Sequence, residues 1–324
     1  MDGTIRRAYK EDLSEILALQ KKAFMPVALA FGDMDIPPMV QTYESIAGEY
    51  EKRCFLKYIL DGRMVGSVRG YLDDEDKCQV CRLIVDPAYQ NKGIGKILMG
   101  ALEASYPDCG GYALFTGSGD YNAKAVSFYK RLGYAITSER VLDNVPMVFM
   151  DKPNEYRVRL VAEKDLTPIH RLYDQATAWL DSQGIRQWNT DVYPTYETAR
   201  RAYMDGHLYC IGDDPIQATM VLNDIEPEPY GGVDWQYPGP ALVIHTLVVN
   251  PACTGRGLGR RLLYFAENEA VRRGYDCIRI DVFPDNAAAV KLYTHFGFTF
   301  AGEIVFDFKE PGYQVYHCYE MRVD

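Results

Sequence analysis

The chain of 324 residues is 48% hydrophobic and 25% charged and carries a formal net charge of −10. Its length favours two domains, because single cores stop growing near ~250–300 residues. The acidic balance argues against a nucleic-acid partner, whose phosphates need a basic face, no apolar run approaches the ~20 residues of a membrane span, and the polar opening MDGTIRRAYKEDLSEIL leaves no apolar core for a signal peptide, which points to a cytoplasmic protein.

The first predicted element is a helix capped by Asp12 and running to Ala23. The segment FMPVALAFGDMDIPPM reads as irregular, and a second helix follows it. FLKYILDGRMVGSVRGYL reads as a hairpin with Asp61-Gly62 at its turn. The next strand, CQVCRLIV, holds Cys78 and Cys81, which strand alternation puts on opposite faces. No second cysteine pair completes a zinc site, so no metal centre is expected. The eight cysteines are scattered, mostly in apolar runs where a free thiol acts as a small hydrophobe. A glycine-rich loop, Gln90-Asn91-Lys92-Gly93-Ile94-Gly95, then opens a helix that begins with Lys96. A strand, another helix and an antiparallel pair complete the half. A polar turn at Asp151–Asn154 is expected to divide residues 1–152 from 153–324.

The second half repeats the first. VDPAYQNKGIGKILMGALE from Val85 reads like VNPACTGRGLGRRLLYFAE from Val249, at an offset of 164 residues. The same offset relates Asn122 to Asn286, Tyr129 to Tyr293 and Gly133 to Gly297, as internal duplication would produce. The helix from Asp165 to Leu180 matches the first helix at an offset of 153, so about eleven residues are inserted before the second loop. They fall in NDIEPEPYGGVDWQYPGP, residues 223–240, a long loop rich in proline and glycine. Residues 1–152 hold 19 Lys/Arg against 21 Asp/Glu and residues 153–324 hold 16 against 24, so the second copy is the acidic one. The predicted architecture is α/β in two tandem domains, each with a mixed sheet.

Both glycine-rich loops leave a strand and open a helix, where free backbone N–H groups and the helix dipole make an anion site. The second is Thr254-Gly255-Arg256-Gly257-Leu258-Gly259, followed by Arg260. Neither is a G-x-x-x-x-G-K-[ST] loop, and Leu98 or Leu262 stands where a dinucleotide fingerprint needs its third glycine. About thirty residues on lies N-x-x-A-x-x-[LF]-Y-x-[RHK]-x-G-[YF], from Asn122 to Tyr134 and again from Asn286 to Phe298. The two motifs together resemble those of the GNAT superfamily of acetyltransferases, over nearly the whole chain, with Thr254 in place of the usual Gln or Arg.

The resemblance implies a mostly antiparallel central sheet flanked by helices, with splayed fourth and fifth strands. It implies acetyl-CoA as cofactor, its pyrophosphate on the loop residues Gln90–Lys96 and Thr254–Arg260. Leu83, Ile84 and Val85, or Leu247, Val248 and Val249, would pair with the pantetheine arm, which Asn122 and Asn286 would also contact. Tyr129 and Tyr293 would protonate the leaving thiolate, although Val126 and Val290 three residues earlier equally suit plain core packing. His245 is a candidate general base by its titration range, as are Asp281 and Glu303, while a lone histidine in an apolar strand also suits packing. Trp188, Trp235 and Glu226 are candidate acceptor residues, since aromatic faces with carboxylates suit a cationic amine. The expected function is N-acetyl transfer to a small-molecule or peptidyl amine, with a homodimer left open. The alternative is an acyl-CoA-binding or assembly module in which one or both copies lack turnover.

Overall fold

The computed structural model describes residues 3–119, 122–142 and 145–323. Contacts divide the chain into two units, Met1–Asn154 and Glu155–Asp324. In the first, Asp61 and Gly62 adopt φ angles of 51° and 75°, as a tight two-residue hairpin turn requires. They join β2 (Cys54–Leu60) to β3 (Arg63–Leu72). With β1 (Thr4–Arg7), β4 (Lys77–Val85), β5 (Gly111–Gly117), β6 (Ala135–Leu142) and β7 (Val145–Pro153), these form a seven-stranded sheet in the order β1-β2-β3-β4-β5-β7-β6. Only β4 and β5 are parallel. A parallel pair needs a crossover, here α4 (Ile94–Ser105).

The second unit repeats this plan. β8 (Val158–Leu160), β9 (Leu208–Ile211), β10 (Ala218–Asn223), β11 (Ala241–Val249), β12 (Cys277–Val282), β13 (Thr299–Val305) and β14 (Val315–Arg322) lie in the order β8-β9-β10-β11-β12-β14-β13. β11 and β12 are the parallel pair, joined through α8 (Leu258–Arg273). Each unit is therefore a mixed, mostly antiparallel sheet flanked by helices.

The crossover helices carry the cores. α8 buries Leu258, Leu262, Leu263, Phe265, Ala266 and Ala270 against Met220, Leu222, Leu242, Ile244, Ile278 and Ile280 of the sheet. Each fully buried Leu or Ile contributes about 1.5–3 kcal/mol, and these contacts fix where α8 begins. On the opposite face, α6 (Leu166–Ser182) and α7 (Tyr196–Met204) pack through Leu166, Ile169, Leu172, Tyr173 and Ala199. α1 (Leu13–Phe31) and α3 (Tyr43–Tyr50) cover the matching face of the first unit, next to the single turn α2 (Pro37–Val40). Among the described residues, no helix is long and apolar enough to cross a membrane.

Two expectations are corrected. The first helix does not end at Ala23: it continues through Pro26 to Phe31, so FMPVALAF is helical. Pro26 removes one hydrogen bond, but burial of Leu13, Ile16, Leu19, Gln20 and Ala28 keeps one helix face inward. The polar segment from Asp151 is not a turn. β7 runs through Pro153, which lies opposite Gly111 at the strand end, where a missing N–H is tolerated.

Candidate active site

The parallel pairing stops short of the strand ends. β11 and β12 stay in register from Ala241↔Cys277 to Ile244↔Ile280 and no further, which leaves one backbone edge of β11 open beyond Ile244. On its other edge β11 is bulged: Val221 pairs with His245, but Thr219 pairs with Val248. Thr246 and Leu247 thus stand opposite Met220 alone, and Thr246 takes a left-handed φ of 47°. The first unit bulges at the equivalent place, between Ser67↔Ile84 and Arg69↔Cys81, with Arg82 also at φ 47°.

β11 leads into the tight turn Pro251–Cys253, closed by Asn250 Oδ1 accepting from Ala252 N at 3.0 Å and by the Thr254 hydroxyl donating to Pro251 O at 2.9 Å. Gly257, at φ 76°, is the N-cap of α8, and no side chain caps that helix. A Cβ at Gly257 would meet nothing within 4 Å, so the turn faces open space and its first-turn N–H groups are free for an anion. Two residues on, a Cβ at Gly259 would lie 2.9 Å from Leu292 Cδ2 on α9 (Ala287–Phe296), so close helix packing excludes one. At α4 of the first unit, Gly93 is likewise an uncapped N-cap, with φ 82°.

In the second unit the splay opens into a cavity of about 740 Å³, bounded by the β11 edge, the glycine-rich turn and the start of α9. Of the residues expected from sequence, Leu247, Val248, Val249, Thr254, Gly255, Gly257, Leu258, Gly259, Arg260, His245, Asn286, Tyr293 and Trp188 line it. Arg256 is exposed on the turn and outside that lining. Asn286 caps α9 through Ala289 N and donates to Gln187 Oε1 at 2.9 Å. Tyr293 is buried, and burial, with the Asp281 charge adding, pushes its hydroxyl pKa up, so it stays protonated.

Asp281 lies at the point of divergence. Its Oδ2 accepts from Tyr230 Oη at 2.9 Å, and burial lifts its pKa to about 6 although that bond opposes the rise. Tyr230 comes from the inserted loop and is fully buried. Lys309 enters the same cavity from the turn between β13 and β14, its Nζ donating to Gln187 O at 2.8 Å. Burial lowers the Lys309 pKa to about 8. Tyr193 Oη and Thr246 Oγ1 share a hydrogen bond beside them.

Several sequence-derived roles change here. His245 Nε2 lies 3.0 Å from Asn223 Oδ1, an acceptor that also takes Ile225 N. Burial drops the ring pKa to about 4, which keeps the imidazole neutral near pH 7. Glu226 and Trp235 do not line the cavity. Glu226 pairs with Arg279, whose guanidinium lies 4.3 Å from the Trp235 ring centre, so both lock the inserted loop to β12. Glu303 pairs with His317 across β13 and β14 at 3.1 Å. Sequence reasoning missed Tyr230, Lys309, Tyr193 and Gln187. Their one common signal is position: Gln187 and Tyr193 fall in WLDSQGIRQWNTDVYP and Tyr230 in the 223–240 loop, the irregular segments expected to hold substrate determinants, and Lys309 falls in the turn before β14.

The first unit is built differently at the matching places. Arg82 stands for Thr246 and Cys81 for His245, and the register of the parallel pair puts Phe115 where the second unit has Asp281. Arg69 is buried and bound to Glu49 at 2.8 Å and Gln41 at 2.9 Å, with Gln20 donating to Gln41 at 3.0 Å. Asn122 makes no side-chain cap on α5 (Ala123–Arg131). Tyr129 is half-buried, with burial raising its pKa to about 12. Leu83, Ile84 and Val85 occupy the splayed part of β4, with Gln90, Asn91, Lys92, Ile94, Gly95 and Lys96 at the turn and first helical residues.

The profile of the Acetyltransferase (GNAT) family matches the chain twice, over residues 16–134 and 173–298. The chain is 26% identical over 282 residues to a mycothiol acetyltransferase of Amycolatopsis mediterranei, covering 84% of this chain and 89% of that protein. It is 27% identical over 296 residues to a mycothiol acetyltransferase of Rhodococcus erythropolis, covering 87% and 92%. A solved GNAT-family acetyltransferase from Streptococcus agalactiae aligns with TM-score 0.46 and 19% identity, over 52% of this chain and 95% of that one. With two family matches spanning most of the sequence and two sheets splayed above an uncapped helix, the chain belongs to the acetyltransferase (GNAT) family, enzymes that move the acetyl group of acetyl-CoA to an amine.

Proposed function

We propose that the second unit carries the transfer, with Asp281 as the base that takes a proton from the acceptor's ammonium. The observation that carries this reading is the Asp281 carboxylate at the mouth of the splay, one oxygen fixed by Tyr230. The protein's free anion site, open strand edge and cavity fit acetyl-CoA, with the first-turn N–H groups and Arg260 for the pyrophosphate and Leu247–Val249 for the pantetheine arm. When bound, acetyl-CoA supplies the acetyl group as a reactive thioester. Backbone N–H groups at the Thr246–Leu247 bulge, outside the sheet ladder, polarise the carbonyl there. With a pKa of about 6, Asp281 is ionised at neutral pH and close enough to neutrality to act as a general base. Tyr293, kept protonated by burial, gives its hydroxyl proton to the departing sulfur.

The first unit lacks counterparts of Asp281, Tyr230 and Thr246, and we assign it no turnover. A second reading, favoured by matches over 84% and 87% of the chain, is the mycothiol acetylation for which those relatives are named. The test is Asp281→Asn, which keeps the shape and removes the base. It is expected to lower kcat by about 10²-fold or more while calorimetry shows CoA binding unchanged. A variant that keeps full kcat when chemistry limits the rate would remove Asp281 from the mechanism.

A further inference from the structure

A second cleft of about 420 Å³ adjoins the cofactor cavity and shares Gln187, Trp188, Tyr193, Phe308 and Lys309 with it. Lys309 and Asp281 are opposite charges in the joined space. Each influences the other's ionisation, yet they form no ion pair among the described residues. Each instead has a neutral partner: Tyr230 for Asp281, and for Lys309 the Gln187 carbonyl with the Tyr193 and Tyr316 ring faces 5.3 Å away. Both groups are half-buried, and a charge withdrawn from water without a counter-ion is costly to maintain, so two such charges held apart are complementary to a ligand that carries both signs. Lys309 has donors left after Gln187 is served.

We propose that the acceptor is a free α-amino acid, its ammonium at Asp281 and its carboxylate at Lys309. This rests on the reading of Asp281 as the base and goes beyond it by assigning the acceptor's second functional group. A polyamine would bring another ammonium against Lys309. A peptide N-terminus would bring a neutral amide there and leave Lys309 without its counter-charge; selection by unpaired charge works against both. The side chain has the rest of the smaller cleft, whose walls include Thr177, Val192 and Tyr313 together with the charged Asp181, Arg186 and Glu310.

The experiment compares free L-amino acids with their own carboxamides as acceptors for the full-length enzyme and acetyl-CoA. For the best amino acid, kcat/KM should exceed that of its amide on the order of 10²-fold, the range for a desolvated charge pair that loses one partner. Lys309→Met should collapse that ratio toward one, and Lys309→Arg should restore part of it, with CoA calorimetry confirming that both variants fold. A wild-type enzyme that uses amide and acid equally well overturns the proposal, as does a preference that survives Lys309→Met; the first comparison decides even if the variants fail to fold. In either case the acetyl-transfer reading stands, because amines are still acetylated. If no amine of any class is acetylated while CoA binds, both readings fall.

Discussion

Asp281 is useful because of what surrounds it. Burial raises its pKa to about 6, and the Tyr230 hydroxyl limits that rise. The proposal therefore predicts that kcat/KM climbs with pH, with an apparent midpoint near 6, and that Asp281→Asn abolishes this limb; a pH–rate profile checks both. A stability measurement supplies the control. Because the folded pKa lies above the unfolded one, the native state binds the extra proton between about pH 4 and 6, so this group's contribution falls as pH rises through that window. Asp281→Asn should consequently melt no lower than wild type at pH 7, so that lost turnover is not lost fold. Tyr293 admits a sharper substitution. Tyr293→Phe keeps the ring and removes the proton, so kcat should drop on the order of 10²-fold with apparent acetyl-CoA affinity little changed, whereas a packing residue would tolerate the exchange.

The inserted loop 223–240 and the turn between Val305 and Val315 are the elements that distinguish the second unit. The loop delivers Tyr230 to Asp281, and Arg279 stacked on Trp235 and paired with Glu226 clamps it in place. Tyr230→Phe should shift the acid limb of the pH profile upward, since the lost hydrogen bond is what holds the Asp281 pKa down; an unmoved limb would separate the loop from the base. These elements also show where sequence reasoning ends. The glycine-rich turns and the Asn–Tyr helices were legible because a free helix N-terminus and a fixed helical spacing are local properties of the chain. The Tyr230–Asp281 bond joins residues 51 apart through tertiary packing, and no periodicity encodes it. Glu226 and Trp235 looked like ligand groups because their partner Arg279 lies on another strand. His245 sat correctly on the cavity wall, but its hydrogen bond to Asn223 and its burial, which decide its protonation, became visible only in the fold.

At the scale of the whole molecule, duplication has preserved the cofactor scaffold twice and the proposed chemistry once. Both units keep the parallel pair, the bulge and an uncapped helix beginning at a left-handed glycine. Only the second has Asp281, where the first has Phe115 by strand register, and Thr246, where the first has the bulky cation Arg82. The measurement that tests this division most directly is thiol release from acetyl-CoA, with an accepted amine, by two full-length variants. Gly257→Val places a β-branched side chain at φ 76° and in the open space over the α8 N-terminus, and Gly93→Val does the same at φ 82° over α4. The account predicts that Gly257→Val loses turnover by about 10²-fold or more while Gly93→Val retains it. Loss of turnover in Gly93→Val with a folded, fully active Gly257→Val would contradict it.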